Sequence, residues 1–346
     1  MGFSQQVLDW FSSYGRKHLP WQGQSAYCVW LSEIMLQQTQ VATVIPYYNR
    51  FMHHFPSVTQ LANAHIDEIL NLWAGLGYYS RARNAHQCAK IIVENYAGEF
   101  PRRLDALCQL PGIGPSTAGA ILALAFNQRA TILDGNVKRV LCRYAGIMGY
   151  PGEHKIQKKL WHLAEKLTPQ ANVADYTQAM MDLGAMVCTP KNPTCSSCPL
   201  QSNCFALQHQ QVTDLPTKKT RKPLPQKHKY FLVLMNEKSQ VLLMKRPSIG
   251  IWGGLWSFPE YDEKTQIIDD CLRRLGLSVQ LKRELAHFKH SFTHFRLMIT
   301  PITALVNKVL YSEVMDKDQY FWYNLDQPLT IGVAKPVKTL LKNISN

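Results

Sequence analysis

The sequence predicts a multidomain chain, an all-α domain followed by a smaller α/β domain, and three observations carry that prediction. At 346 residues the chain is long enough to bury two separate cores. Up to about residue 187, apolar residues recur every three or four positions between Pro and Gly punctuation, as in "PSVTQLANAHIDEILNLWAGLG", "PRRLDALCQLPGIG" and "PSTAGAILALAF". Beyond residue 229 the texture changes to short apolar runs of strand type.

The first domain is assigned residues 1–212 and ends in a Cys-rich segment, 188–204. The run "TDLPTKKTRKPLPQKHK" then places six Lys/Arg after Asp214, with three Pro and no further acid, so residues 213–228 read as an extended basic linker. In the second domain, 229–346, "YFLVLMNEKSQVLLMKRP" is two strands around a polar turn. "TQIIDDCLRRLGL" is the helix, and "RLMITPITALV" and "YFWYNL" add further strands.

Lys plus Arg number 38 against 24 acids, a net charge of +14 that concentrates polyanions near the surface, and nucleic acid is the commonest of these in a cell. No window approaches eighteen unbroken apolar residues, and the N-terminal stretch lacks the basic-then-apolar order of a secretory leader. A soluble, cytoplasmic protein without membrane association is expected.

Of nine Cys, five (Cys28, Cys88, Cys108, Cys142, Cys271) are scattered through apolar segments as small buried thiols. Cys188, Cys195, Cys198 and Cys204 instead fall within seventeen residues as C-x6-C-x2-C-x5-C. Four such thiolates hold zinc or an iron–sulfur cluster, and a single C-x2-C pair rather than two moderately favours the cluster. Disulfides are disfavoured in a cytoplasmic protein.

Three stretches carry candidate chemistry. "LPGIGPSTAGAI" puts Gly112 and Gly114 in a hairpin opening a helix, where unshielded N–H groups bind a phosphate or simply form a packing corner. Twenty residues beyond Gly114, "ILDGNVKRV" sets Asp134 just before a helix with Lys138 and Arg139, as an N-cap or as a reactive carboxylate. In "SEIMLQQTQV", Glu33 shares a helical stripe with Val29, Leu36, Gln40 and Val44, so its carboxyl is expected to be partly desolvated and its pKa raised. A carboxyl kept protonated suits a general acid, and pairing with an arginine is the competing reading.

Taken in order and spacing, the hairpin, the Asp and the Cys run resemble the helix–hairpin–helix DNA glycosylases over residues 1 to about 210. The resemblance implies a 4Fe-4S cluster on Cys188, Cys195, Cys198 and Cys204, and Pro190, Lys191 and Pro193 in the loop point to a structural and DNA-orienting role. Strand-cleaving members carry a nucleophilic Lys in the hairpin's second helix, where this chain has Ser116, so a monofunctional enzyme is expected. The strings "VWLSEIMLQQTQV" and "GLGYYSRARN" are similar to the MutY family of adenine DNA glycosylases. That likeness implies Glu33 as proton donor to adenine, Asp134 as the carboxylate facing an oxocarbenium-like sugar, and Asn136 as its hydrogen-bonding neighbour.

The likeness also implies DNA contacts. Gln37, Gln38 and Tyr78 would fill and read the stack vacated by the extruded base, while Gly112, Gly114, Ser116 and Lys138 would meet the backbone. "RPSIGIWGGLWSFPE" resembles the start of a Nudix domain, but the R-E-x-x-E-E set that would hold magnesium is replaced by "IIDDCLRRLGL", which argues against pyrophosphohydrolase chemistry. "HFKHSFTH" matches the family's 8-oxoguanine-reading segment, with Phe292-Thr293-His294 where the family commonly shows Phe-Ser-His. The expectation is therefore a monomeric, nucleoid-associated adenine DNA glycosylase acting on double-stranded DNA with adenine opposite 8-oxoguanine or guanine. An endonuclease III-like lyase is opposed by Ser116, and a non-catalytic damage binder by the presence of both Glu33 and Asp134.

Overall fold

The computed structural model describes residues 2–219, 223–310 and 319–345. Residues 220–222 of the expected linker and 311–318 of the expected second domain lie outside the described residues. The chain divides into two compact units, one of Met1–Asn63 with Asn84–Arg221, the other of Ala64–Arg83 with Lys222–Asn346. Residues 64–83, which the sequence pattern groups with the helical domain, thus cluster with the second unit.

The helices before the hairpin are α1 (Phe3–Tyr14), α2 (Ala26–Leu36), α3 (Val41–His54), α4 (Val58–Asn63), α5 (Ile66–Trp73), α6 (Ser80–Tyr96) and α7 (Leu104–Cys108). After it come α8 (Pro115–Phe126), α9 (Gly135–Ala145), α10 (His154–Leu167), α11 (Val173–Asp182) and the short α12 (Phe205–Gln208). α5 and the first turn of α6 belong to the second unit. In the first, Val7, Ile132, Val137, Leu141, Leu160 and Met180 join one apolar core, and that core underlies both the strand-like approach to Asp134 and α9.

The stripe expected to run from Val29 to Val44 is interrupted. α2 stops at Leu36, because Gln38 takes a left-handed backbone at φ +58° and the chain restarts at Gln40, the N-cap of α3. Glu33 therefore stays on the face of Val29 and Leu36, while Gln37 to Gln40 become a turn. The linker is also less free than its composition suggests. Leu215 is buried and its carbonyl accepts from Arg143 Nε at 2.9 Å, and Thr217 Oγ1 accepts from Gly149 N at 3.1 Å.

The second unit is a mixed sheet of β1 (Gln226–Met235), β2 (Gln240–Lys245), β3 (Trp256–Ser257), β4 (Glu260–Tyr261), β5 (Leu277–Glu284), β6 (Phe288–Ser291), β7 (Arg296–Val309) and β8 (Tyr320–Asn324). Its main order is β3-β2-β1-β7-β5, with β4 on β1, β6 on β7 and β8 on β2. β1 and β7 run parallel through ten paired positions, and the other pairs are antiparallel. The strands expected from sequence are β1, β2, β7 and β8. The expected helix is α13 (Gln266–Leu275), whose Ile267, Cys271 and Leu275 pack on Leu232, Leu242 and Ile302; α14 (Lys335–Ser345) closes the chain. β1 begins at Gln226, ahead of the boundary drawn at residue 229, because residues 226–229 already pair with β7.

Candidate active site

α2 delivers Glu33 and the turn before α9 delivers Asp134. Ser25 caps α2 by accepting from Cys28 N, and the helix buries Val29, Trp30, Leu31, Ile34 and Met35, which leaves Glu33 half-buried among apolar neighbours. Desolvation pushes the Glu33 carboxyl up to about 8, and the negative charge of Asp134 adds to the rise. The two carboxyls are thus near enough to couple, as a shared site requires.

Asp134 is the N-cap of α9, so the bland sequence reading is structurally true and does not displace the chemical one. Its Oδ1 accepts from Val137 N at 2.8 Å and its Oδ2 from Asn136 Nδ2 at 3.3 Å. Burial raises its pKa too, but these donors and the Arg139 charge favour the ionised form and oppose the rise. No hydrogen bond reaches the Glu33 carboxyl among the described residues. The negative charge of Asp134 thus favours the protonated form of Glu33. Both carboxyls are therefore raised, in place of the opposed pair expected from sequence, and only Asp134 has donors that oppose the rise.

The hairpin is tied to this corner. Gly112 has φ +80°, and a Cβ there would lie 3.1 Å from Asn84 Cβ, so the turn needs glycine at that position. Its carbonyl accepts from Gln37 Nε2 at 3.3 Å. Gly114 is the N-cap of α8 and opens onto free space, which leaves the helix N-terminus accessible. Ser116 Oγ accepts from Leu133 N at 2.9 Å, so this residue fixes the approach to Asp134 in addition to any contact with DNA. Lys138 is half-buried on α9 and Gln38 is exposed in its left-handed turn.

Two arginines that the sequence reading did not place in the site organise it. Arg139 donates to Asn136 Oδ1 at 2.8 Å, Gly184 O at 2.6 Å and Cys188 O at 2.7 Å. Gly184, in the π-helical turn Leu183–Val187, has no room for a side chain, since a Cβ would sit 2.5 Å from Asn136 Cβ. Arg143, one turn further along α9 and buried, donates to Cys188 Sγ at 3.3 Å and Thr189 O at 2.8 Å. The signal was present: Asn136, Arg139 and Arg143 recur at three and four residues along α9.

Cys188, Cys195, Cys198 and Cys204 line a single cavity with Arg143, Val187 and Pro193. Burial raises the Cys195 and Cys198 thiols, Cys198 to about 11, and the neighbouring cysteines raise them further, so their thiolate forms would need a cationic occupant. No three Cys, His, Asp or Glu among the described residues converge as they would on one ion. Four cysteine sulfurs lining one cavity are a donor set that fits an iron–sulfur cluster or a zinc ion.

In the second unit, Phe292-Thr293-His294 forms the tight connection from β6 to β7, closed by Phe292 N donating to Phe295 O at 2.9 Å. Thr293 and His294 are exposed, and Phe292 stacks on Phe295 at 4.6 Å and tilts against Trp252 at 5.2 Å. Tyr78 is 42% exposed in a loop with Gly75 at φ +103° and Gly77 at φ +76°, and is itself left-handed at φ +47°. No helix of the described residues is long and apolar enough to cross a membrane.

Comparison with known proteins agrees with this picture. Residues 31–166 match the profile of the HhH-GPD superfamily of base excision DNA repair proteins, and residues 230–343 match that of the NUDIX domain. The adenine DNA glycosylase of Buchnera aphidicola from Schizaphis graminum is 43% identical over 343 residues, covering 98% of both chains. That of Homo sapiens is 36% identical, over 85% of this chain and 65% of its own. A thermostable thymine-DNA glycosylase superposes with TM-score 0.55 at 29% identity, covering 60% of this chain and 95% of its own. Endonuclease III in a non-covalent DNA complex shares the fold, with TM-score 0.51 at 23% identity over 61% of this chain and 99% of its own.

Proposed function

Since this chain belongs to the adenine DNA glycosylase family and is a DNA glycosylase with a Nudix-like second domain, we propose that it removes adenine opposite 8-oxoguanine or guanine in duplex DNA. The observation that carries this reading is the pair of unlike carboxyls, Glu33 without donors and protonated up to about 8, Asp134 capped by N–H groups. Adenine is a poor anionic leaving group. Protonation of a ring nitrogen by Glu33 lets it depart neutral as the glycosidic bond breaks. The sugar becomes cationic, and the fixed Asp134 carboxylate offsets that charge until water adds to the anomeric carbon and gives its proton to the Glu33 carboxylate, which restores the acid.

Asn136 and Arg139 hold Asp134 in place and orient the loop that begins at Cys188. The four cysteines would hold a 4Fe-4S cluster, which when bound cross-links residues 188–204 and presents exposed groups such as Lys191 to the phosphate backbone. Ser116 supplies no amine, so the reaction ends at an abasic site without strand cleavage. In the second unit the exposed Thr293 and His294, beside the stacked rings of Phe292 and Phe295, support a role in reading the base opposite adenine. The Lys/Arg excess supports double-stranded DNA as the partner, engaged by a single copy of the chain.

A single-turnover assay on an 8-oxoguanine:adenine duplex tests the proposal. Free adenine, with nicking only after hot alkali, is the expected result. Nicking without alkali would replace it with a lyase, and tight binding without release with a damage-binding protein.

A further inference from the structure

The Nudix-like start, "RPSIGIWGGLWSFPE", lacks its metal-binding carboxylates, yet Gly253, Gly254 and the end of β2 touch residues 64–83 of the same unit. Lys245 Nζ, at the end of β2, meets Asp67 Oδ2 on α5 at 2.8 Å and lies 5.7 Å from the Trp256 ring. Arg83 Nη1, on the first turn of α6, donates to Gly253 O at 2.5 Å. Between these anchors the floor is glycine. A Cβ on Gly254 would lie 3.3 Å from Leu70 Cδ1, and one on Gly332 3.1 Å from the Leu70 carbonyl carbon.

The segment bracketed by the two anchors is the Tyr78 loop. Its own bonds close the turn: Trp73 Nε1 and Arg81 Nη2 each donate to Gly77 O at 3.1 Å, and Gly75 N donates to the Tyr79 hydroxyl at 3.3 Å. Arg81 lies 5.6 Å from the Tyr78 ring, which is held outward on a left-handed backbone. A non-glycine residue in that conformation persists only where its surroundings fix it.

We infer that the glycine-rich segment 246–257, together with Lys245, serves as a cradle that sets the position of the Tyr78 loop, making Lys245 and the Gly253 carbonyl positioning groups for base extrusion. The second unit would then act on the extruded base through α5 and α6 as well as reading its partner. This rests on the proposed role of Tyr78 as a wedge, and the test separates the two.

The full chain is used throughout. Lys245→Met, Asp67→Asn, Gly332→Ala and the charge swap Asp67→Lys with Lys245→Asp are compared by amide exchange at residues 74–80 without DNA. Extrusion is followed by the fluorescence of 2-aminopurine placed opposite 8-oxoguanine. Each of the first three variants is expected to speed exchange severalfold and to lower the fluorescence rise, with the charge swap restoring both toward wild type. Unchanged exchange in the first three variants overturns the cradle, as does faster exchange with extrusion intact. If the wild type gives no fluorescence rise, the wedge reading fails, and the exchange data still decide whether Lys245 holds the loop.

Discussion

The carboxylate corner of the first unit and the Phe292–His294 turn of the second are built on opposite plans. Around Asp134 the polar contacts form a chain, through Ser116 to Leu133, Asn136 to Asp134, and Arg139 to Asn136, Gly184 and Cys188, with the Glu33 carboxyl beside it. The β6–β7 turn holds its shape by stacked rings and one backbone bond, and leaves Thr293 and His294 exposed. Bond breaking needs groups that do not reorganise as charge develops, whereas reading a base needs donors free until the base arrives.

The largest effect should come from breaking the fixed side at its proton. Glu33→Gln keeps the shape but has no acid to give, so single-turnover adenine release should fall by roughly 10²–10⁴-fold while duplex binding is retained. Release at the wild-type rate would remove Glu33 from the chemistry. Titration sharpens the same point, since the wild-type rate should drop about tenfold per pH unit above about 8, where Glu33 loses its proton. The sign for stability follows from the same group. A folded-state pKa raised from 4.5 to about 8 means its contribution is complete below 4.5 and lost as pH rises through 8, so Glu33→Gln should melt higher than wild type at alkaline pH and alike in acid. A melting difference that shrinks toward alkaline pH would contradict the assignment.

Next in size is the link from Asn136 to the cysteine loop. Arg139→Met leaves the acceptors on Asn136, Gly184 and Cys188 without their donor, at about 1–3 kcal/mol for each that stays buried. Both melting temperature and release rate should fall, and loss of stability alone would show that Asn136 does not depend on Arg139 for its orientation. Ser116→Ala probes the same plan more gently, by freeing Leu133 N.

Most of the architecture was legible because it rests on local signals. Pro and Gly boundaries, strand texture after residue 229 and the Cys spacing each correspond to an element. What was hidden is non-local. No periodicity marks the end of α2 at Leu36, since the left-handed Gln38 is a single-residue event in a string whose apolar spacing continues to Val44. The engagement of Arg139 and Arg143 depends on a loop about fifty residues away, and the grouping of residues 64–83 with the second unit depends on Lys245 and Gly253. Glu33 was legible as an odd carboxyl in an apolar helix, but its lack of donors was not.

The smallest effect should fall on the free side of the comparison. Thr293 is exposed, and its hydroxyl makes only a long 3.5 Å contact to His294 Nδ1. Removing it disturbs no packed partner, so Thr293→Ala should leave melting and the release rate opposite guanine near wild type. If the hydroxyl donates to 8-oxoguanine, one neutral hydrogen bond of about 0.5–1.5 kcal/mol disappears, lowering the preference for 8-oxoguanine over guanine by roughly two- to tenfold. Thr293→Ser tests the methyl separately and should keep the preference, because the donor remains and the exposed turn has room to adjust. Equal loss in both variants would mean that packing of the turn, rather than the hydroxyl, sets the discrimination, and the contrast between a tied site and a free one would no longer hold.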